Sequence, residues 1–345
     1  MMNKEKTAQE ILAIKYPGDL FLDSDIYAIK SYYIQLCKKY HPDVNKDSSL
    51  SNEVTAKIIA LYNEALQLKK ENKWQTSYTL EFQSNKSMKY VIRFQTFNEF
   101  ELGTMYISDT MVFYLFDAKF ELYYRNALKQ IENFKFANGI MQASMEKYLP
   151  KILDKFVTQD NRFGLIIKKT PDLLLLKDVL AHYDNKIPVH MSAWILSSLY
   201  NFACFLEFNN LTHNAITLNN YFISPLYHSG ALLGGWGYSM QQKKKMLGVP
   251  NEIFNLMPPI VKQNKLAHIV TDLEAIKHIG NQLIGNPSRY DLKISNAIET
   301  YYKNWLLVGA SGSAYYEYGS WMAYLKSHGE RKFVETKLTA NDIYK

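Results

Sequence analysis

His213-Asn214-Ala215-Ile216-Thr217-Leu218-Asn219-Asn220-Tyr221-Phe222-Ile223 is the stretch that decides how the larger part of this chain folds. It opens on polar residues and closes on an aromatic, β-branched run of strand type. Immediately before it, Met191 to Phe208 is an apolar segment of helical length that breaks at Asn209-Asn210-Leu211-Thr212. After it, a hairpin leads to Ala231-Leu232-Leu233-Gly234-Gly235-Trp236-Gly237, a short apolar strand that runs into glycines. Further upstream, Tyr90 to Phe94, Gly103 to Ile107 and Met111 to Phe116 read as strands separated by turn residues at Asn98 and Ser108-Asp109. Helical segments follow at Lys119 to Ile131 and Ile140 to Tyr148. Two more strands, Phe156-Val157 and Phe163 to Ile167, flank the Gln159-Asp160-Asn161 turn. The pattern is α+β: an antiparallel sheet with an inserted helix, a connector at Pro171, then a mainly helical half.

This order of elements resembles the protein-kinase fold. His213 matches the His of the family's catalytic loop and Asn220 its Asn, but Ala215 stands at the catalytic Asp position and Thr217 at the following Lys. Gly235 replaces the metal-binding Asp of the Asp-Phe-Gly motif. Pro258-Pro259 falls where the family closes its activation segment. Thr271 to Ile276 resembles the start of the helix whose Asp, here Asp272, braces the catalytic loop. The resemblance spans about residues 88 to 285 and implies a bilobal body, with an N-lobe over 89–170 and a helical C-lobe with an aromatic extension over 171–345.

Phosphoryl transfer in that family needs a glycine-rich loop, a strand Lys and two Asp residues. Between residues 80 and 116 the only glycine is Gly103, and Val112 to Phe116 carries no Lys, with Lys119 just beyond. Glu146 is a candidate for the family's helix Glu but reads better as a surface residue beside Lys147. Ala215 cannot take a proton and Gly235 cannot hold a metal. The resemblance therefore implies a pseudokinase: no catalysis, no cofactor and no metal. His182, His190, His268 and His278 lack ligand spacing, and Ser311-Gly312-Ser313 lacks the first glycine of a nucleophile elbow.

The first seventy residues hold a different signal, His41-Pro42-Asp43. Ser24 to Tyr40 places Ile26, Ile29, Tyr33, Leu36, Cys37 and Tyr40 on one helical face, with Ser24 or Asp25 as N-cap. Residues 45–51 are turn-like, and a second helix carries Val54, Ile58, Leu61, Tyr62, Ala65 and Leu66 on one stripe. A shorter helix covers Thr7 to Ile14 and closes at Pro17-Gly18. This resembles the J-domain of Hsp40 co-chaperones over residues 5–73. It implies an all-α helical hairpin over 1–73 that binds Hsp70 (a DnaK-type chaperone) through His41, Pro42 and Asp43, assisted by Lys30, Lys38 and Lys39, and stimulates its ATP hydrolysis. The helix is less basic than the family's usual one, since Ser31, Ile34 and Gln35 stand where Lys or Arg is common. Residues 74–88 are polar and read as a linker, so the chain is expected to be multi-domain.

Composition sets the remaining bounds. Of 345 residues, 47% are hydrophobic and 14% aromatic, which argues for folded structure nearly throughout. The net charge of +7 is spread thinly, and Lys243-Lys244-Lys245 is a short run without interleaved aromatics, so nucleic acid is not an expected partner. Cys37 and Cys204 are expected as buried, reduced thiols. The N-terminus shows no secretory h-region, and Leu173 to Leu176 is too short to cross a bilayer. A cytoplasmic protein without membrane contact follows. The first functional expectation is an Hsp70 adaptor whose body holds a protein client. The alternatives are a divergent kinase-like enzyme or nucleotide-binding protein, and a basic structural or nucleic-acid-associated protein.

Overall fold

The computed structural model describes residues 6–21, 25–43, 48–71, 74, 78–285, 288–294, 300–328 and 336–344. Four helices come first: α1 (Ala8–Ala13), α2 (Pro17–Phe21), α3 (Ile26–Tyr40) and α4 (Ser48–Lys70). Thr7 and Glu10 form a reciprocal capping box at α1, and Asp25 caps α3 through the Ala28 N–H at 3.0 Å. Ser24, the other cap candidate, and residues 45–47 of the turn lie outside the described residues. The helix α3 stops at His41, whose extended backbone (φ −58°, ψ 135°) is what a following proline imposes. Ile29 and Leu36 are buried against Val54, Ile58, Leu61 and Ala65 of α4, and Tyr33 stacks on Tyr62 at 4.0 Å. Ile26, expected on this face, is 49% exposed because it sits in the first turn, ahead of the packed stretch.

The linker assignment for 74–88 is corrected. Trp74 is buried in the helical core, its carbonyl accepts the Glu81 N–H at 2.9 Å, and Thr79–Gln83 is a strand, β1, paired antiparallel with β2 (Lys89–Arg93). Leu80 and Phe82 alternate inward between partly exposed polar neighbours, which is a one-faced strand. The described body therefore begins at Tyr78 rather than at residue 89.

The main sheet runs β3 (Thr96–Phe100), β4 (Gly103–Ile107), β5 (Met111–Phe116), β6 (Ile152–Val157) and β7 (Phe163–Lys168), in the order β3-β4-β5-β7-β6, every pair antiparallel. Asn98 lies inside β3, not in a turn: it pairs with Met105, and the chain reverses instead at Glu101-Leu102. Between β5 and β6 come α5 (Glu121–Ile131) and α6 (Gly139–Met145). The pleat sends Val112, Tyr114 and Phe116 to the helical side and Phe113 and Leu115 to the other. That second face is covered by the β1–β2 hairpin, where Phe82 stacks on Phe113 at 5.5 Å and on Phe156 at 5.1 Å. Tyr16, before α2, meets Phe97 of β3 edge-on at 5.9 Å.

The helical half follows with β8 (Leu174–Leu175), α7 (Leu176–His182), α8 (Val189–Phe208), β9 (Leu211–Thr212), β10 (Tyr221–Ser224), β11 (Ser229–Leu232), β12 (Met240–Gln241), α9 (Asn251–Leu256), α10 (Pro259–Asn264) and α11 (Ile269–Leu283). The tail contributes α12 (Arg289–Ile294), α13 (Thr300–Leu307), α14 (Ala314–Ser327) and α15 (Ala340–Ile343). Residues 295–299, between α12 and α13, lie outside the described set. By length and apolarity alone α8 would suit a membrane span, but most of it, including Ile195, Leu199, Phe202 and Leu206, is buried in the core. Each such side chain contributes about 1.5–3 kcal/mol.

Two polar devices hold the C-terminal helices. Glu207 of α8 accepts the Ala314 N–H at 2.6 Å and so caps α14 from outside. Lys277 of α11 and Glu317 of α14 form a buried ion pair at 2.8 Å. Lys277 also donates to the Trp305 carbonyl, and the second oxygen of Glu317 takes the Ser311 N–H. Trp321 is buried, whereas Tyr315 and Tyr316 face solvent, so the aromatic extension is only partly core. Cys37 and Cys204 are unpaired and half-buried rather than fully buried.

Candidate functional site

The loop after β9 is built on one carboxylate. Asp272, fully buried on α11, accepts the His213 N–H at 2.7 Å through one oxygen and the Asn214 N–H at 2.8 Å through the other. Burial raises its pKa to about 7, while the two amide donors pull the other way. Asn214 takes the left-handed backbone (φ 60°), which Asn tolerates, and its side chain donates to the Tyr238 carbonyl. His213 is buried, holds the Gly234 carbonyl with Nε2 at 3.0 Å and meets Trp236 edge-on at 4.8 Å. Burial holds its pKa down to about 3, so it is a neutral structural group at physiological pH.

Asn220 turns its amide inward to the Ala215 carbonyl at 2.9 Å. Ala215 and Thr217 are both buried. Gly235 sits at φ +79°, and a Cβ added there would lie 2.6 Å from the His213 ring, 2.8 Å from the Asn220 amide and 3.0 Å from the Ala215 methyl. The five positions singled out in the sequence, His213, Ala215, Asn220, Gly235 and Asp272, are therefore brought together. Together they form a packed cluster with no space for a carboxylate at 235.

Sequence reasoning did not find what fills the cleft from above. Tyr114 of β5 is fully buried, and its hydroxyl has no hydrogen-bond partner among the described residues. A Cβ at Gly234 would lie 2.7 Å from that hydroxyl. Burial pushes its pKa well up, so it is neutral. Phe100, at the end of β3, meets Tyr114 and Phe116 edge-on at 6.0 and 5.7 Å, and Leu102 is buried beside them. Only a two-residue turn joins β3 to β4, and Gly103 (φ +149°) is required there because a Cβ would strike the Leu115 carbonyl at 2.0 Å. Lys119 is exposed, its Nζ 4.9 Å from the Phe120 ring, and it does not reach this cluster. Glu146 accepts a hydrogen bond from Gln142 at 2.6 Å on the surface.

Below this cluster opens a cavity of about 370 Å³ lined by Glu99, Glu101, Glu252, Asn219, Asn220 and Tyr238, among others. No Lys or Arg lines it among the described residues. Glu252 is held below its usual range chiefly by its hydrogen bond with His278. His268 caps α11, and no group of three or more His, Cys, Asp or Glu side chains is arranged to hold a metal among the described residues.

The other candidate site is its opposite. His41, Pro42 and Asp43 form the turn after α3, with the His41 and Asp43 side chains half and 87% exposed and the Asp43 N–H donating to His41 Nδ1 at 3.2 Å. Lys30, Lys38 and Lys39 are exposed on α3. Behind the turn, the Tyr40 carbonyl accepts from Thr55 at 2.9 Å and the Tyr40 hydroxyl donates to the Lys6 carbonyl at 2.7 Å, fixing the end of the helix.

The five-stranded antiparallel lobe, the long helix, the loop braced by an Asp and the paired short strands define a protein-kinase-like fold. One solved structure with this fold is that of vaccinia related kinase 3, which is 12% identical to this chain with a TM-score of 0.51. The match covers 74% of this chain and 92% of that one. At this identity the likeness establishes the fold alone. No family model matches the sequence, and no curated protein matches it.

Proposed function

We propose that this chain is an Hsp70 adaptor in which a J-domain-like helical module recruits the chaperone and a catalytically silent kinase-like body holds a protein client. The observation that carries the reading is the contrast between the two candidate sites. Where a nucleotide triphosphate with about four negative charges would have to sit, the cleft offers three carboxylates and, among the described residues, no Lys or Arg, and its upper part is filled by Tyr114, Phe100 and Leu102. Carboxylates within 4–6 Å of phosphates repel them, and Ala215 and Gly235 replace the proton acceptor and the Mg²⁺ ligand that the kinase reaction uses at those positions. The tripeptide, by contrast, presents two solvent-facing polar side chains, held against each other at 3.3 Å, beside three exposed lysines. Complementary charge on a partner would speed its arrival there, and the short lysine set favours a restricted choice of partner. The unpaired thiols fit a reducing cytoplasm.

The test is ATP hydrolysis by a DnaK-type Hsp70 with and without this protein. Wild type is expected to stimulate it and His41→Gln to abolish the stimulation. Equal stimulation by both would overturn the reading.

A second reading, a divergent nucleotide-binding protein, is favoured by the fold itself, because the likeness to a solved kinase bears on the body and not on Hsp70. Thermal denaturation with Mg²⁺-ATP separates the two. The adaptor reading expects no shift in Tm, and a saturable upward shift would establish the second reading.

A further inference from the structure

Two open grooves flank the connection from α6 to β6, and neither shares a residue with the acidic cavity of the cleft. The first, about 760 Å³, brings together Lys147, Lys151 and Lys168 beside Tyr148 and Tyr227. The second, about 520 Å³, has a mainly apolar wall of Phe134, Phe136, Pro150 and Ile152, with Glu132, Glu146 and Lys151 at its polar part. Glu146, Leu149 and Lys151 line both, so the two form one continuous surface.

Lys147 and Lys151 stand four residues apart and Lys168 is added by the end of β7; all are exposed and none enters an ion pair with a described residue. The Lys168 N–H bonds to the Lys151 carbonyl at 2.8 Å, which holds two of them side by side, and Lys147 leans over the Tyr148 ring at 4.8 Å. A fourth, Lys169, belongs to the floor. It is buried, and its ammonium group donates to the carbonyls of Asp109, Thr170 and Leu173 at 2.9–3.1 Å. Like charges gathered without partners repel one another, and an anionic ligand relieves that repulsion.

From this arrangement we infer that the joined grooves are a docking site for an acidic peptide that carries apolar anchor residues. The apolar groove calls for side chains that leave water on binding, which a polynucleotide does not supply. Glu132, Glu146 and Asp172 in the same walls would meet a continuous phosphate backbone with repulsion, whereas a peptide can space its carboxylates to miss them. The partner therefore presents its acidic residues to the lysines and an aliphatic or aromatic residue between Phe136 and Ile152. This inference does not rest on the co-chaperone reading, since it uses only residues of the kinase-like body.

Fluorescence anisotropy with a labelled peptide of repeating Leu-Glu-Glu tests it on the full chain. Wild type is expected to bind, and the triple variant Lys147→Glu, Lys151→Glu, Lys168→Glu to bind about tenfold more weakly or not at all. Raising the salt is expected to weaken binding to wild type. The substituted positions are exposed, so the variant's Tm is expected to match wild type. A peptide with Gly for Leu, which keeps the charge and loses the anchors, is expected to bind more weakly than the original. No binding by wild type, equal binding by the triple variant, or equal binding of the Gly peptide would overturn the proposal. Tighter binding of a labelled single-stranded oligonucleotide through the same lysines would overturn it in favour of nucleic acid.

Discussion

The cleft around Gly235 and the turn at His41-Pro42-Asp43 both carry family-like motifs, and they spend their polar groups in opposite ways. In the cleft every motif side chain is turned inward: His213 on the Gly234 carbonyl, Asn220 on the Ala215 carbonyl, Asp272 on two backbone amides. At the turn, the side chains face water while the backbone behind them is fixed by Thr55 and Tyr40. A motif can thus survive as architecture or as surface, and only the second leaves its chemistry available to a partner.

The largest effect that would break the comparison is the one on the chaperone, where His41→Gln is expected to remove all stimulation. Next comes the ion pair that holds the C-terminal helices. Lys277→Ala leaves Glu317 charged and buried, and the expected loss is about 3–5 kcal/mol of unfolding free energy, read from urea denaturation. A loss below about 1 kcal/mol would mean that water reaches the pair.

Gly235→Asp asks whether the cleft can be reopened by restoring the missing carboxylate. The left-handed backbone and the three close neighbours of a Cβ predict destabilisation of about 2–4 kcal/mol and no gain of Mg²⁺-ATP binding. A stable variant that binds Mg²⁺-ATP would show that the cluster yields easily.

The last effect, comparable in size but visible only as a pH dependence, concerns Lys169, whose burial lowers its pKa from 10.5 to about 8. Above pH 8 the folded protein gives up this proton while the unfolded chain keeps it until about 10.5, so the Lys169 contribution to stability rises with pH across that window. The rise amounts to about 3 kcal/mol at 1.36 kcal/mol per pH unit. The difference in unfolding free energy between wild type and Lys169→Met, followed from pH 7.5 to 10, isolates it from the tyrosines. A flat difference would place the ammonium in contact with water.

Much of this was legible in the sequence because it rests on local pattern. The three- and four-residue spacing of Ile29, Tyr33 and Leu36 marks a helix face, and the order of elements around His213 to Gly237 carries the kinase-like fold. Other features depend on distance along the chain. The cleft is acidic because Glu99 and Glu101 meet Glu252, some 150 residues away. Tyr114 fills it because the sheet order sets β5 over Gly234, which no window of sequence contains. The strand β1 was hidden for another reason. With only Leu80 and Phe82 apolar among five residues, its single buried face is too brief to stand out from polar surroundings. Ile26 shows the reverse error, a residue with the right spacing but beyond the end of the contact.

Trp74 sets the working radius of the whole molecule. A free linker of fifteen residues would let a chaperone bound at His41 sweep about 20 Å in any direction, so proximity would act as a local concentration. With the indole locked among the helices and its carbonyl tied to β1, that search volume shrinks to a bearing. If the proposed chaperone binds at the turn, it would arrive along a set direction, and its grip on the proposed client would depend on where that client protrudes rather than on how often the two collide.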